Sequence, residues 1–345
     1  MEAPLSVGEF TPDSSLQAIR NTIVETKKTF AIIRHHPKLK SIAHTKTALA
    51  EQCRRVIVFF QITASNRLIL ASLLRTLSAK PKETNIMPQV EVTTTNHIMH
   101  LHLTRPEKYN ALSLEMYGTL AEELHRLDTD PDLRVAVVSA EGRNFTAGVE
   151  LDQWAPYFGG GKGWPIGEGR IDPMGVSGPQ HSKPIVMAVQ GYCFTWGVEM
   201  LLNTEIRVAA TDTQFQMLEV QRGLFPCGGA TFRLPREIGW GNAQRVLLTG
   251  DRWSAEDALR WGMVQELTEP GAQIDRALEL ATSIADAAPL GVQGLLQASR
   301  YSLENNREAC AKQMFSELIP IMKSEDAAEG VKSFVERRKA QFTGR

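Results

Sequence analysis

The chain has little cysteine, and what it has is scattered. Its 345 residues include four cysteines, and no two of them form a C-x-x-C pair. This spacing excludes a zinc ribbon and a disulfide framework, and it fits a protein of a reducing compartment. The four positions are Cys53, Cys193, Cys227 and Cys310.

Motifs that cradle nucleotide phosphates are also missing. No G-x-G-x-x-G follows a predicted strand, no G-x-x-x-x-G-K-[ST] occurs, and the nucleophile elbow G-x-S-x-G is absent. The sequence therefore gives no support for a dinucleotide site, a P-loop or a serine-hydrolase site. The glycine-rich run over residues 159–169 precedes no amphipathic helix, and we interpret it as a surface loop.

Long apolar runs are absent as well. The most apolar stretch, residues 56–74, is interrupted by Gln61, Asn66 and Arg67. A membrane-spanning helix needs about 20 largely apolar residues. We therefore predict that the chain has no transmembrane segment.

Charge is balanced in the whole chain but not in its parts. The net charge is −1, which excludes a polycation built to bind DNA. Residues 1–86 hold 13 basic and 6 acidic residues, whereas the remainder holds 25 and 33. We interpret residues 1–86 as a basic, weakly ordered N-terminal extension, and a surface for RNA or anionic lipid is the alternative. Its early acids Glu2, Glu9 and Asp13 are unlike a mitochondrial presequence.

From Val90 onward the hydrophobic pattern becomes regular. Met99, Leu101 and Leu103 alternate with polar residues, as in a strand with one buried face. Ser113 is placed as the N-cap of a helix with an apolar stripe. Further strands are predicted over 134–140, 184–189 and 206–210. This alternation of strands and helices predicts α/β layering.

The strand pattern ends at about residue 272. Three helical stretches are predicted to follow, over 272–286, 290–304 and 308–342, with a break in the last near Ser324. We expect these helices to pack on the α/β core or on a neighbouring subunit.

Three histidines close in sequence raise the question of a metal site. His100 and His102 share one face of a predicted strand, and His97 is nearby. Because no carboxylate or cysteine is close in sequence, we interpret them as a solvent-facing stripe and predict no metal.

One ordered set of segments carries chemistry. The central segments are NFTAGVEL at 144–151, GYCFTWGVEM at 191–200 and FQMLE at 215–219, followed by RGLFP, GG and RLP within 222–235. The flanking segments are RPEKYNAL at 105–112, LTGDRWSAEDALRWGMV at 248–264 and FVERRK at 334–339. Each segment alone is a weak signal, whereas the ordered set is a strong one.

In content and order these segments resemble the crotonase (enoyl-CoA hydratase/isomerase) superfamily, over about residues 90–342. The resemblance implies an α/β fold: a crotonase-like spiral of ββα units with a C-terminal helical segment. We then expect an extension (1–86), a spiral core (87–286) and a helical trimerisation segment (287–345). The resemblance also implies homotrimers, often paired as hexamers.

The same resemblance implies an enzyme, a lyase that acts on an acyl-CoA thioester. The family holds an enolate on the thioester oxygen with two backbone N–H groups, which by position are those of Val149 and Trp196. The second lies at the start of a helix, where free N–H groups favour negative charge. Coenzyme A is part of the substrate, and no separate cofactor is implied.

Two acids match the glutamates that hold and split water in the hydratases. By resemblance, Glu199 orients and helps to deprotonate the water, while Glu219 gives a proton to Cα. Two carboxyl groups around one water can share a proton, because like charges push their pKa values apart. The alternative for each residue alone is structural: a helix-surface Glu199 and a loop-capping Glu219.

Further acyl-CoA contacts follow from the same match. They involve Ala147, Gly148, Glu150, Phe334 and Arg337. One position departs from the family, because Trp196 stands where small residues are common. Its indole either narrows the acyl pocket or points away from it.

Hydration of a 2-enoyl-CoA, a reaction of fatty acid metabolism, is our first hypothesis. Double-bond isomerisation needs only one of the two acids and stays as an alternative, together with other acyl-CoA reactions of the family. An RNA-binding homologue that uses residues 1–86 and a non-catalytic scaffold are further alternatives. The C-terminal FTGR is no SKL-type peroxisomal signal, so we expect a cytoplasmic or mitochondrial protein.

Overall fold

The computed structural model describes residues 88–345. The predictions for residues 1–86, including the apolar stretch 56–74, lie outside the described residues. Within residues 88–345, no helix combines the length and the apolar character needed to cross a membrane.

Strands and helices alternate up to residue 268, and helices alone follow. The strands are β1 (Val90–Thr95), β2 (Ile98–Leu103), β3 (Val135–Ala140), β4 (Ile185–Val189), β5 (Tyr192–Phe194), β6 (Ile206–Ala210), β7 (Gln214–Gln216), β8 (Trp253–Ser254) and β9 (Glu266–Thr268). The helices are α1 (Leu114–Thr129), α2 (Leu151–Gly159), α3 (Trp196–Leu201), α4 (Ala230–Ile238), α5 (Trp240–Thr249), α6 (Ala255–Trp261), α7 (Gln273–Ala285), α8 (Pro289–Ser302), α9 (Arg307–Met322) and α10 (Glu325–Glu336). Short 3-10 helices span Pro106–Lys108 and Glu219–Arg222.

A six-stranded sheet of order β1-β2-β3-β4-β6-β9 forms the centre of the fold. β1 and β2 are antiparallel, and the other neighbouring strands are parallel. Parallel neighbours need crossover connections, which the intervening segments provide. The predicted α/β class is confirmed by this arrangement.

Both faces of the central sheet are covered, as a mostly parallel sheet requires. Every residue of β3 and β4 is buried. On one face, valines of these strands pack against α7, which approaches through Ala277, Ala281 and Ala285. The opposite face carries the larger core, which includes Trp196 and Phe215. The small side chains of α7 allow the helix to lie close to the sheet.

The chain leaves the central sheet at a sharp turn between β4 and β5. Gly191 has φ +52°, and a Cβ there would lie 2.1 Å from the carbonyl oxygen of Arg143. Glycine is therefore required at this turn. β5 then joins a second sheet of order β5-β7-β8, in which β5 and β7 are parallel. The turn thus carries the chain from the central sheet into β5, and α3 follows β5 directly.

Helix starts predicted from the sequence are confirmed. Ser113 accepts a hydrogen bond from the N–H of Met116 at 3.0 Å and caps α1. Ser324 accepts one from Ala327 at 3.0 Å and caps α10, directly after the predicted break. Serine hydroxyls at these positions satisfy N–H groups that have no partner within the helix.

The predicted helix end at residue 342 is wrong, because α10 stops at Glu336. Arg337 adopts a left-handed conformation with φ +53°. The Asp326 carboxylate then accepts the N–H groups of Thr343 and Gly344, at 2.6 and 2.9 Å. These hydrogen bonds fold the last residues back toward the start of the helix instead of extending it.

The interpretation of the histidines as a solvent-facing stripe holds for His97, which is exposed, but not for His100 and His102, which are half-buried. Pairing of β2 with β3 brings Ser139 between them, and its Oγ lies 2.7 Å from both His100 Nε2 and His102 Nδ1. Burial lowers the pKa of both imidazoles. His97 instead contacts the carbonyl of Asp132 at 2.7 Å. Over residues 88–345, no group of three or more His, Cys, Asp or Glu side chains could hold a metal ion.

Candidate active site

Three chain segments end side by side at one edge of the three-stranded sheet β5-β7-β8. Thr146 forms a parallel bridge with Cys193 on β5, and Phe194 pairs with Gln216 where β5 and β7 run parallel. Parallel strands present their carboxyl ends at the same edge, which is where ligand sites of α/β proteins form. The predicted site residues follow these ends, at 147–150, 196–199 and 219.

Glu199 lies in the first turn of α3 and is only 3% exposed. Its Oε1 accepts the backbone N–H of Gly228 at 2.7 Å and that of Ala230 at 3.2 Å. Burial and, after it, the charge of Glu219 raise the pKa of Glu199 to about 8, although the two N–H groups and Arg233 oppose this shift. Glu199 is therefore not a helix-surface residue, and its carboxyl group titrates near neutral pH.

Gly228 closes over the Glu199 carboxyl group. A Cβ at this position would lie 2.6 Å from Glu199 Oε2. That distance is far shorter than van der Waals contact between non-bonded atoms, about 3.5 Å or more. The close approach of the backbone, which also brings its N–H to Oε1, therefore requires glycine.

Glu219 is the first residue of the 3-10 helix that follows β7. Its Oε2 is buried and has no hydrogen-bond partner among residues 88–345. Burial raises the pKa of Glu219 to about 7. A buried carboxyl oxygen without a partner is costly, and such groups with shifted pKa values concentrate at functional sites.

The thiol of Cys227 shows that the two acids share one environment. Burial and then the charges of Glu199 and Glu219 raise the pKa of Cys227 to about 11. Because the carboxyl groups interact, their protons are lost in steps that belong to the pair. At a pH between about 7 and 8 the pair holds about one proton. It can then donate a proton at one carboxyl group and accept one at the other.

The backbone N–H groups of Val149 and Trp196 donate to no other group among the residues that the structure describes. Leu112 holds the segment around the first of them. Its N–H donates to the Gly148 carbonyl at 2.9 Å, and its carbonyl accepts the N–H of Glu150 at 3.0 Å. Successive N–H groups of an extended segment point to opposite sides, so the Val149 N–H faces away from Leu112.

Thr195 sets the direction of the second N–H. Its backbone has φ +49° and ψ −112°, a conformation that β-branched residues avoid. Its N–H donates to the Gln216 carbonyl at 2.9 Å, which anchors this conformation. Trp196 follows as the first helical residue, so its N–H has no acceptor within the helix. Backbone strain of this kind occurs preferentially at functional sites.

The indole of Trp196 points away from any open pocket. The residue is 1% exposed, and its ring centroid lies 6.1 Å from that of Phe145. The indole N–H donates to the Gly148 carbonyl at 2.6 Å and lies 3.0 Å from Thr146 Oγ1. A side chain that lined an open acyl pocket would be accessible to solvent. Of the two alternatives for this bulky residue, the structure therefore favours the one in which it leaves the pocket.

Glu150 has its partners within the protein. Its carboxylate forms an ion pair of 2.6 Å with Arg105 and is also bonded by Gln153. The N–H of Ala147 donates to the Tyr109 carbonyl at 3.0 Å. These contacts hold the segment that carries the Val149 N–H. A contact of Glu150 with acyl-CoA stays a prediction.

Phe334 and Arg337 are not packed into this group of residues in the single chain. Phe334 is 84% exposed on α10, and Arg337 is exposed at the end of that helix. Their predicted contact with coenzyme A therefore depends on the assembly of subunits and stays a prediction.

Arg233 belongs to the site, although no sequence pattern assigns it a role. Its guanidinium donates to the carbonyls of Met174 and Gly175, at 2.6 and 2.8 Å. From there its charge lowers the pKa of Glu199, against the effect of burial. The RLP segment marks the position in the sequence, but the loop that orients the guanidinium is about sixty residues away.

Comparison with known proteins adds an independent finding. The family model described as enoyl-CoA hydratase/isomerase matches residues 93–345. Mevalonyl-coenzyme A hydratase sidH of Aspergillus fumigatus is 35% identical over 255 residues, which cover 72% of this chain and 92% of that protein. Enoyl-CoA hydratase EchA19 of Mycobacterium tuberculosis is 33% identical over 261 residues, covering 75% and 97%. The crystal structure of an enoyl-CoA hydratase from Mycobacterium tuberculosis has a TM-score of 0.69 at 34% identity, covering 75% of this chain and 100% of that chain.

Proposed function

Because the chain belongs to the enoyl-CoA hydratase/isomerase family of the crotonase superfamily, we propose that it is an enoyl-CoA hydratase. It adds water across the α,β double bond of a 2-enoyl-CoA thioester, and coenzyme A is part of the substrate. The lyase reaction is supported by relatives at 35% and 33% identity that are named hydratases.

One observation carries the proposal: Glu199, which is buried, and Glu219, which is half-buried, share one environment and both titrate near neutral pH. The pKa of Glu199 is raised to about 8 and that of Glu219 to about 7. Moving a double bond needs one proton-transfer group. Splitting water needs a base for the oxygen and an acid for Cα, which two such groups supply.

The hydrogen bonds of the pair support a division of labour. The match to the hydratases assigns Glu199 as the base, which accepts a proton from water as the water oxygen bonds to Cβ. The productive form of the pair is then the one in which Glu219 holds the shared proton. Two backbone N–H groups donate to Glu199 Oε1 and favour its charged form, although burial leaves the pKa of Glu199 the higher of the two. Glu219 gives its proton to Cα. The proton on Glu199 then passes to Glu219, so that both acids regain their starting state and the product contains one added water.

The N–H groups of Val149 and Trp196 act on the thioester oxygen. Negative charge develops there when oxygen adds to Cβ, and both N–H groups are free of other acceptors among residues 88–345. Donors that are oriented before the reaction stabilise this charge without reorganising, and one such donor is worth about 10²–10³ in kcat.

We further propose that residues 287–345 form the trimerisation segment, and that a trimer brings Phe334 and Arg337 to the coenzyme A. Large apolar side chains are exposed on its helices and at the end of α8: Leu295, Leu303, Phe315, Ile319, Val331, Phe334 and Val335. Several large exposed apolar side chains on one segment are typical of a subunit interface. In each subunit, Ala147 and Gly148 would lie against the acyl thioester.

The proposal is tested with a panel of 2-enoyl-CoA thioesters that differ in length, branching and polarity. Hydration removes the absorbance of the conjugated thioester, and we expect this loss with at least one member of the panel. The same protein is offered 3-enoyl-CoA in parallel. If it moves that double bond but adds water to no thioester in the panel, the protein is an isomerase and the proposal is wrong.

A further inference from the structure

We infer that the Trp196 side chain is a positioning residue for the oxyanion hole, an inference that rests on the proposed function. The indole N–H donates to the Gly148 carbonyl at 2.6 Å. That carbonyl belongs to the peptide unit that also carries the Val149 N–H. One residue therefore supplies one donor of the oxyanion hole through its backbone and orients the other through its side chain.

The geometry of a single peptide unit links the indole to the Val149 N–H. A peptide is planar, so the Gly148 carbonyl and the Val149 N–H point in opposite directions. The carbonyl is held from two sides, by the indole at 2.6 Å and by the Leu112 N–H at 2.9 Å. Two fixed donors set the peptide plane and with it the direction of the N–H. They also polarise the peptide, which strengthens the N–H as a donor by about 10–30% per bond.

Gly148 makes such support necessary. Its φ is +118°, a conformation open to glycine and to few other residues. Without a side chain of its own, Gly148 has nothing to restrict rotation of the peptide that follows it. The restriction therefore has to come from neighbouring segments, and the indole provides part of it.

The indole is itself held in place by its contacts, so it can hold the Gly148 carbonyl in one orientation. It is buried beside Phe145, and its Nε1 also lies 3.0 Å from Thr146 Oγ1. That hydroxyl in turn donates to the Asn110 carbonyl at 2.8 Å. The separation of the two oxyanion donors is thus set by one rigid side chain and one hydrogen bond.

A matched pair of variants separates this role from packing. Trp196→Phe keeps an aromatic ring and the backbone N–H but removes the indole N–H. Trp253→Phe is the control, because Trp253 is 2% exposed and stacks on Phe215, while its indole N–H has no partner among residues 88–345. Replacement of Trp196 by benzothienylalanine, which has sulfur in place of the N–H, removes the same donor at nearly constant volume.

Three measurements report on the orientation of the Val149 N–H. The first is the split between kcat and KM for the best substrate of the panel. The second is the infrared band of butyryl-CoA labelled with ¹³C at the thioester carbonyl, a saturated thioester that cannot be hydrated. The third is amide hydrogen exchange over residues 146–150, which needs no ligand.

For both Trp196 variants we expect kcat to fall about 10-fold with little change in KM, because a donor is misaligned but not lost. The carbonyl band of bound butyryl-CoA should move back toward its position in water, and exchange over 146–150 should rise at least several-fold. Trp253→Phe should show none of these changes. Parental exchange and an unchanged carbonyl band in both Trp196 variants would overturn the inference. If the parent protein itself leaves the carbonyl band unshifted, the proposed function is wrong at the oxyanion hole, and the exchange readout still decides whether the indole holds the peptide.

Discussion

The edge of the three-stranded sheet β5-β7-β8 and the C-terminal helices differ in which side chains they bury and which they expose. At the sheet edge, Trp196 and Glu199 are at most 3% exposed, although one carries a polar N–H and the other a carboxyl group. Helices α8 and α9 contain no buried residue, and Phe315 and Phe334 are 60% and 84% exposed. Polar groups are buried in the first region, and apolar groups are exposed in the second.

A single chain satisfies the buried polar groups of its core, whereas it leaves the apolar side chains of its C-terminal helices uncovered. The buried Glu199 carboxyl group finds its N–H donors on the same chain, at Gly228 and Ala230. On α8, Arg300 bonds the helix to the core, because it donates to Glu205 at 2.6 Å and to the His181 carbonyl. The groups of the proposed chemistry thus lie in the core of one chain, whereas the C-terminal helices expose the apolar side chains that the proposed trimer would cover.

Removing either carboxyl group at the sheet edge is expected to have the largest effect on kcat. Glu199→Gln and Glu219→Gln should each lower kcat by about 10²–10⁴, because general acid–base catalysis contributes that much. The double variant should lose much less than the product of the two factors, since both groups act on one water. Steady-state hydration and butyryl-CoA binding measure this, and Glu122→Gln, at a largely exposed side chain, is the control. A glutamine variant of the pair with the parental rate would show that its acid is not catalytic.

A methyl group placed against Glu199 should have the next largest effect. In Gly228→Ala the new Cβ would lie 2.6 Å from Glu199 Oε2, so the carboxyl group and its N–H donor must separate. We expect kcat to fall by about 10–100-fold, consistent with displacement of a catalytic group by about 1 Å. The control is Gly241→Ala, where a Cβ meets no atom within 4 Å. Equal activity of the two variants would contradict the close packing at Gly228.

A charge placed on α10 tests whether the exposed apolar side chains of the C-terminal helices form a subunit interface. Phe334→Asp should weaken subunit assembly, because a carboxylate replaces an apolar side chain that is 84% exposed in the single chain. Sedimentation velocity should then show smaller species than for the parent, while circular dichroism shows the same helix content. Phe334→Leu keeps the site apolar and serves as the control. A parent protein that sediments as an active monomer would refute the trimerisation segment.

The smallest expected effect is on stability and depends on pH. Burial raises the pKa of Glu199 from 4.5 to about 8, so the folded protein binds this proton more tightly than the unfolded chain does. Stability from this group is complete below about pH 4.5 and is lost as pH rises toward 8. Glu199→Gln does not titrate, so its Tm should exceed the parental Tm at pH 8 by several degrees, at about 2–4 °C per kcal/mol. At pH 4.5 the difference should disappear, and a difference independent of pH would contradict the shifted pKa.

Elements with long and strong patterns could be predicted from the sequence. β6 occupies the predicted residues 206–210, and Ser113 caps α1 as expected. These predictions succeed because hydrophobic periodicity and caps act within a few residues of the chain. The end of α10 could not be predicted, because hydrogen bonds from the tail to Asp326 stop the helix early.

The three-stranded sheet is the part of the fold with the weakest sequence signal. Its strands have two or three residues each, which is too short for any period to show. They are strands only because they pair, as Phe194 does with Gln216. This sheet brings Glu199 and Glu219 together, so the spatial relation of the two acids is a property of pairing and not of local sequence.

The sequence by itself determined the family and the class of fold, and it singled out the candidate acids and the proposed backbone donors, because ordered motifs and local periodicity are written along the chain. The tertiary structure decided the pKa values of Glu199 and Glu219, the orientation of the Trp196 indole and the sharing of Ser139 by two histidines. Burial and hydrogen bonding act between atoms, and the atoms around Glu199 come from segments about thirty residues away, at Gly228 and Ala230. A carboxyl group acquires a raised pKa only when such distant segments exclude water from it.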